Sequence, residues 1–248
     1  MNIAIIFAGG VGSRMHTDGL PKQFLEVSGK PIIVHTLSVF QNHEEIDAIV
    51  LVMNPDWLDY TQNLLDEYGL DKVIATVPGG STGQESIYNG LIEAKEQVRA
   101  REGDGAEYKT IVLLHDGVRP MIDADLISKN IQGVKDHGSA VTCVDCNETV
   151  VMVNDDGDRI IRTVERNKTR IAKAPQSFYL ADILHAHERA RQFGRNDIVD
   201  SCTMMQLYGT VTPSVVVGDF SNIKVTTPSD YYTLKTLLAV RDGKLREV

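Results

Sequence analysis

Ile3-Ala4-Ile5-Ile6-Phe7, running straight into Ala8-Gly9-Gly10-Val11-Gly12-Ser13-Arg14-Met15, decides the fold. A continuous apolar run closed by glycines reads as a β-strand buried on both faces, since neither face carries the polar residues that water demands. Runs of the same kind return at Ala48-Ile49-Val50-Leu51-Val52-Met53, Val73-Ile74-Ala75-Thr76-Val77 and Thr110-Ile111-Val112-Leu113-Leu114. Between them the apolar period lengthens to that of a helix. Pro31 opens a helix in which Ile33, Leu37 and Phe40 share one face. Further helices are expected over about 55–68, over about 84–101, and from Asp123 on, with Asp123 and Asp125 in the first turn and Ile127, Ile131 and Val134 on one side. Strands alternating with helices imply right-handed βαβ crossovers and a sheet covered on both faces. The expected fold class is α/β, a single doubly wound, mostly parallel sheet.

The alternation breaks after Ala140. Val150-Val151-Met152-Val153 and Arg159-Ile160-Ile161-Arg162-Thr163 flank the turn-rich Asn154-Asp155-Asp156-Gly157-Asp158, a hairpin signal. A hairpin inserted in an α/β chain reads as an arm, here at about 145–170, and a contact with a second copy is expected of it. Helices near 180–193 and 199–208 follow, then a strand at Ser214-Val215-Val216-Val217. A last helix has Thr227 as its N-cap, Pro228 at its first position and Asp230 at the third, close to a capping box. With no repeat, linker or low-complexity tract, residues 1–248 read as one domain with an arm.

At 248 residues, 42% of them hydrophobic and 24% charged, the chain can bury a large core and is too apolar for disorder. No apolar run approaches the roughly 20 residues a membrane span needs. The three cysteines cannot build a disulfide framework, and Met1-Asn2-Ile3-Ala4 offers no basic region or cleavage site, so a cytoplasmic location is expected. The balance of 34 acidic against 25 basic residues, net −9, argues against a nucleic-acid partner. It leaves room for a small anionic substrate where Lys and Arg gather locally against the global sign.

Ligands of open α/β sheets bind beyond the carboxyl ends of the strands, so the chemistry should lie in the loops leaving the apolar runs. The first is Ala8-Gly9-Gly10-Val11-Gly12-Ser13-Arg14-Met15 with Pro21-Lys22-Gln23 behind it. Glycines let a backbone approach an anion and present N–H groups to it, and Arg14 and Lys22 add the charged donors a triphosphate needs. Met15 stands where a dinucleotide fingerprint has its last glycine, and the Gly-Lys-Ser/Thr ending of a Walker loop is absent. The second loop is His115-Asp116-Gly117-Val118-Arg119-Pro120. Its aspartate suits a ribose hydroxyl or a Mg²⁺ bridging nucleotide phosphates, and its arginine a phosphate ester. A plain surface ion pair between Asp116 and Arg119 is the bland reading of the same residues. The third is Ser221-Asn222-Ile223-Lys224-Val225-Thr226, which is expected to place Lys224 at the edge of a strand ahead of the capped last helix.

Together these segments resemble the cytidylyltransferases that act on polyol phosphates, ribitol 5-phosphate or 2-C-methyl-D-erythritol 4-phosphate. The resemblance runs from Ile3 to about Leu238 and also takes in Gly79-Gly80 with Ser86, Thr149, Arg166 in Thr163-Val164-Glu165-Arg166, and Pro175-Gln176. It implies a Rossmann-like nucleotidyltransferase fold and a reaction in which CTP and a polyol phosphate give a CDP-polyol and pyrophosphate. By that resemblance Arg14, Lys22 and Lys224 are catalytic. Ala8, Gly9, Gly10, Gly12, Gly79, Gly80, Ser86 and Asp116 bind the nucleotide, and Arg119, Thr149, Arg166 and Lys224 the polyol phosphate. Asp116 would also hold Mg²⁺, and a homodimer would form through the arm, passing Thr149 and Arg166 into the partner's site. The residues themselves agree with such a reaction. A phosphate monoester is mostly dianionic at pH 7 and needs no general base, so positioning and positive charge carry the catalysis.

The chain departs from the family pattern at Gly83, where arginine is common, at Ala174 ahead of Pro175-Gln176, at Glu148 before Thr149, and at Val199-Asp200-Ser201. Gly9-Gly10 and Gly117-Val118 lean toward the ribitol-phosphate branch. A non-catalytic nucleotide or sugar-phosphate binder is the alternative of another class, and a dinucleotide-dependent reductase is disfavoured by Met15 and the Arg14–Lys22 pair. Cys143-Val144-Asp145-Cys146 lies in an extended run and is expected to be small buried residues rather than a redox or zinc motif. His185 and His187, two apart on a helix, are expected in solvent, and Trp57 in helix packing.

Overall fold

The computed structural model describes residues 1–10 and 19–245, so Gly12, Arg14 and Met15 of the first loop lie outside the described residues. In chain order the elements begin with β1 (Asn2–Ala8), the short hairpin β2 (Glu26–Val27) and β3 (Lys30–Pro31), α1 (Ile32–Gln41), β4 (Ala48–Met53), α2 (Leu58–Glu67) and β5 (Val73–Pro78). They continue with α3 (Gly83–Glu102), β6 (Ile111–Asp116), α4 (Ala124–His137) and β7 (Ser139–Asp145). The arm is β8 (Val151–Val153) and β9 (Ile160–Thr163); β10 (Arg170–Tyr179), α5 (Leu180–Gln192), α6 (Ser201–Tyr208), β11 (Val215–Val217) and α7 (Pro228–Arg241) complete the chain.

The main sheet has the order β11-β7-β10-β6-β1-β4-β5. Within it only β10 runs antiparallel to its neighbours, so the doubly wound, mostly parallel reading holds. Alternation along the strands divides the core. Ala4 and Ile6 point with Ile49, Leu51 and Leu113 into the layer under α1, α2 and α4. Ile3 and Ile5 point with Val50, Val52, Val112 and Leu114 into the layer under α3, α5 and α6. Both faces are dry, which is why these strands read as unbroken apolar runs.

Two strands go beyond the sequence expectation. β7 and β10 pair with each other in the main sheet beside the arm, whereas the pattern over 140–165 points only to the arm's own strands. β10 carries Arg170, Lys173 and Gln176, and Pro175 sits inside it, a residue that removes a ladder donor and argues against a central strand. The sheet accommodates the proline with a shift of register between Ala172 and Gln176.

The cap of the last helix is a complete capping box: Thr227 Oγ1 accepts from the Asp230 N–H, and the Asp230 carboxylate accepts from the Thr227 N–H. Such a cap stabilises a helix by about 1 kcal/mol and here fixes where α7 starts, just after the Lys224 segment. Trp57 packs on Phe24, as a helix-packing residue should, with ring centroids 5.2 Å apart. His185 is exposed, but His187 is 1% exposed and neither of its ring nitrogens has a partner, which corrects the expectation of a solvated histidine. No helix among the described residues is long and apolar enough to cross a membrane.

Candidate functional site

A cavity of about 500 Å³ opens beyond the ends of β1 and β6, lined by Ala8, Gly9, Gly10, Lys22, Asp116 and Lys224 on one side and by Gly80 to Gly83 and Ser86 on the other. Lys22 is delivered to it by a single turn of 3-10 helix, Lys22–Phe24. The buried Gln23 donates from Nε2 to the Ala8 carbonyl at 2.6 Å, tying that turn to the last residue of β1. Phe24 anchors the same turn between Trp57 and Tyr60.

Asp116, the last residue of β6, lies opposite Phe7 of β1. Its carboxylate stands between two cations: Lys224 Nζ is 2.7 Å from Oδ1, and Arg119 Nε donates to Oδ2 at 2.7 Å. Burial alone would raise its pKa, but the Lys224 and Arg119 charges outweigh that and bring it to about 2. Gly117 permits the approach, because a Cβ there would lie 2.5 Å from Ile33 Cδ1 and 3.2 Å from the Phe7 carbonyl oxygen. Behind them, the buried His115 holds the Arg119 carbonyl through Nε2 at 3.1 Å, so Nε2 carries its proton. Desolvation lowers the His115 pKa to about 4, against the pull of Asp116. The ion pair considered in the sequence therefore exists, but it is part of a three-residue cluster on the cavity wall.

A second recess of about 260 Å³ adjoins the first and shares Asp116 and Lys224 with it. Arg119, Lys173, Gln176 and Asp200 line it. Lys173 is a residue that sequence reasoning misses, because it lies in the unrecognised strand β10. Its ammonium reaches the carbonyls of Asp219, Phe220 and Asn222.

The Gly79-Gly80 to Ser86 stretch folds on itself at the start of α3. Ser86 Oγ accepts from the Gly80 N–H at 3.0 Å and donates to the Thr82 carbonyl at 3.0 Å, while the Gly79 N–H donates to the Met53 carbonyl. Both glycine donors are thus used inside the protein. A Cβ on Gly80 would run into the Glu85 side chain, so glycine is required while Glu85 caps the Ser81 N–H. Gly83, one of the departures, faces open space in the cavity wall, where an added Cβ would meet nothing within 4 Å.

Thr149 and Arg166 meet each other but not the cavity. Arg166 Nη2 donates to Thr149 Oγ1 at 3.0 Å on the exposed arm, and neither residue lines either recess. The arm also leaves Val151, Met152, Val153, Ile160 and Ile161 exposed. Cys143 and Cys146 are buried, as expected of them, and among the described residues no group of His, Cys, Asp or Glu has the arrangement of a metal site.

The family model for 2-C-methyl-D-erythritol 4-phosphate cytidylyltransferase matches residues 2–239. A ribitol-5-phosphate cytidylyltransferase of Streptococcus agalactiae serotype V is 52% identical over 244 residues, 98% of each chain. A 2-C-methyl-D-erythritol 4-phosphate cytidylyltransferase of Clostridium botulinum is 35% identical over 229 residues, 92% of this chain and 93% of its own. Among solved structures, the 4-diphosphocytidyl-2C-methyl-D-erythritol synthase of Anaerococcus prevotii superposes with a TM-score of 0.78 at 27% identity, over 96% of this chain and 95% of that one.

Proposed function

The chain belongs to the 2-C-methyl-D-erythritol 4-phosphate cytidylyltransferase family of nucleotidyltransferases, and from that premise we propose that it transfers CMP from CTP to ribitol 5-phosphate. The reaction forms CDP-ribitol and releases pyrophosphate. The observation that carries it is the pair of adjoining recesses that meet at Asp116 and Lys224. Two anionic substrates must be brought together, and the shared wall bearing Lys224, with Arg119 beside it in the smaller recess, is where their phosphates would face each other. The choice of ribitol 5-phosphate follows the greater identity to the relative named for that substrate.

In this reading the nucleotide occupies the larger recess, its triphosphate along Ala8, Gly9 and Gly10 and its base side toward Gly80 and Ser86. A phosphate oxygen of the polyol phosphate attacks the α-phosphorus, the bond from that phosphorus to the bridging oxygen of the β-phosphate breaks, and pyrophosphate departs. Lys22, with Arg14, stabilises the charge that accumulates on the α-phosphoryl oxygens and the leaving group. Lys224 and Arg119 hold the entering phosphate. Mg²⁺ fits Asp116, the one carboxylate among the described residues lining the larger recess. It is ionised at working pH and still has lone pairs beyond the two taken by Lys224 and Arg119. The metal would supply further neutralisation of the triphosphate, whose oxygens would complete its coordination.

The arm supports a homodimer in which Val151, Met152, Ile160 and Ile161 are covered by a second copy, and Thr149 and Arg166 reach the partner's polyol-phosphate recess. Arg166→Ala is then expected to raise KM for the polyol phosphate about tenfold or more, in keeping with loss of a charge-assisted contact, with KM for CTP within about twofold. Steady-state kinetics with each substrate varied in turn would decide it, and a change confined to CTP would show the role to be wrong.

The reading is tested by pyrophosphate release from the purified protein with Mg²⁺, each of the four nucleoside triphosphates, and each polyol phosphate. Release with CTP and ribitol 5-phosphate is the expected result. Release only with 2-C-methyl-D-erythritol 4-phosphate would move the chain to the other branch. Saturable CTP binding without release under any pairing would make it a binder.

A further inference from the structure

The segment that delivers Lys224 to the cavity has almost no regular structure of its own. Residues 219–226 form no helix or strand, which corrects the strand edge expected at Lys224; among the described residues the segment pairs there through a single backbone bond at its far end, the Val225 N–H on the Val118 carbonyl at 3.0 Å. Its near end is held by a neighbour across the recess. Lys173 Nζ donates to the carbonyls of Phe220 at 3.0 Å, Asn222 at 3.2 Å and Asp219 at 3.4 Å, and lies 5.6 Å from the centre of the Phe220 ring. An ammonium has three N–H donors, and three carbonyls are presented to it. Among the described residues no carboxylate lies within ion-pair distance of it, though the Asp219 charge is near, and its hydrogen bonds go to the segment's own carbonyls.

We propose that Lys173 is a positioning residue, whose grip on the 219–222 carbonyls sets Arg119 and Lys224 at the spacing the entering phosphate requires. The link is direct. The Asn222 carbonyl that accepts from Lys173 also accepts from Arg119 Nη1 at 3.0 Å, and Lys224 stands two residues further on. The Asn222 side chain closes the circuit by donating from Nδ2 to the Ala174 carbonyl, next to Lys173, at 2.7 Å. Lys173 thus braces the same Asn222 carbonyl that Arg119, bound to Asp116, also holds. Without it, three carbonyls lose a charged donor together, and the Arg119–Asp116–Lys224 cluster loses its outer support. Burial and the nearby Arg119 charge lower the Lys173 pKa, with the Asp219 charge acting against them.

The inference rests on the polyol-phosphate reading for its kinetic consequence but not for its structural one, so two measurements separate them. The first is backbone hydrogen exchange on the unliganded protein, wild type against Lys173→Met, which keeps the aliphatic stem and removes the charge. Exchange in 219–224 is expected to rise about tenfold or more, as loss of a charged hydrogen bond implies, while the sheet amides of β1 and β6 stay unchanged. The second is kinetics with CTP and ribitol 5-phosphate. Lys173→Met is expected to raise KM for the polyol phosphate about tenfold with KM for CTP within about twofold, and Lys173→Arg, which keeps a multiple donor, to recover most of that loss. Unchanged exchange in 219–224 would overturn the proposal whatever the activity. So would equal losses for both substrates with no recovery by arginine, the pattern of a merely structural lysine. If wild-type protein shows no turnover, the polyol-phosphate reading fails and the exchange experiment still decides the role of Lys173.

Discussion

Lys22→Ala should lower turnover about 10²-fold or more, the usual consequence of deleting a preorganised charge aimed at a developing oxyanion. Lys22 lines the larger recess on a turn fixed at three points: Gln23 on the Ala8 carbonyl, Phe24 between two aromatic rings, and the Phe24 N–H on the Pro21 carbonyl. Those supports do not involve the Lys22 ammonium, so alanine should leave the turn in place and the thermal midpoint close to wild type. The effect should fall on kcat more than on either KM, because charge on the α-phosphoryl oxygens and the departing pyrophosphate is greatest in the transition state. Pre-steady-state pyrophosphate release with CTP and the polyol phosphate both saturating would measure it. Turnover within a few-fold of wild type would remove Lys22 from the mechanism.

How much of this site is legible in the sequence depends on whether each residue's chemistry comes with a local signal. Ala8-Gly9-Gly10 and Asp116 end unmistakable apolar strands, and the structure puts them on one cavity wall with Lys22 and Lys224. The strand-end rule alone leads to that wall. Lys173 has no such signal, because β10 breaks the pattern by which strands are recognised: it mixes charged, small and proline residues and pairs through a shifted register. Its importance comes from carbonyls nearly fifty positions away along the chain, and no spacing rule reaches that far. Thr149 and Arg166 show the opposite limit. Their hairpin is legible, yet among the described residues they bond to each other and line neither recess, so the role the resemblance implies for them rests on a second copy.

The same long-range dependence governs His187, and it leads to a large effect on stability. Unfolding free energy should fall as the pH drops from 6.5 toward 4, and His187→Leu should flatten that fall. Desolvation, assisted by the Arg191 charge, lowers the His187 pKa from 6.5 to about 4, and neither ring nitrogen has a partner. Tyr88 stacks on the imidazole, and the Arg191 guanidinium lies 4.5 Å from the centre of the Tyr88 ring, so among the described residues the charge that acts on a proton at His187 is a cation. Above pH 6.5 both folded and unfolded chains keep this histidine neutral, and its titration leaves stability unchanged. Below 6.5 the unfolded chain takes up a proton that the folded chain refuses until about pH 4, so stability is lost across that window. A shift of this size corresponds to about 3 kcal/mol at full titration, a large part of the roughly 5–15 kcal/mol typical of a folded domain. His115, buried with a pKa near 4, contributes in the same direction, so the leucine variant should retain part of the slope. Urea unfolding at pH 7 and pH 5 separates the histidines from most carboxylates, which titrate lower. At pH 7 the variant should match or exceed wild type, since leucine replaces two unpartnered nitrogens with apolar surface. An equal loss between pH 7 and 5 in both proteins would mean that His187 finds a proton's worth of solvation in the folded state, and that its burial is less complete in solution than its packing against Tyr88 implies.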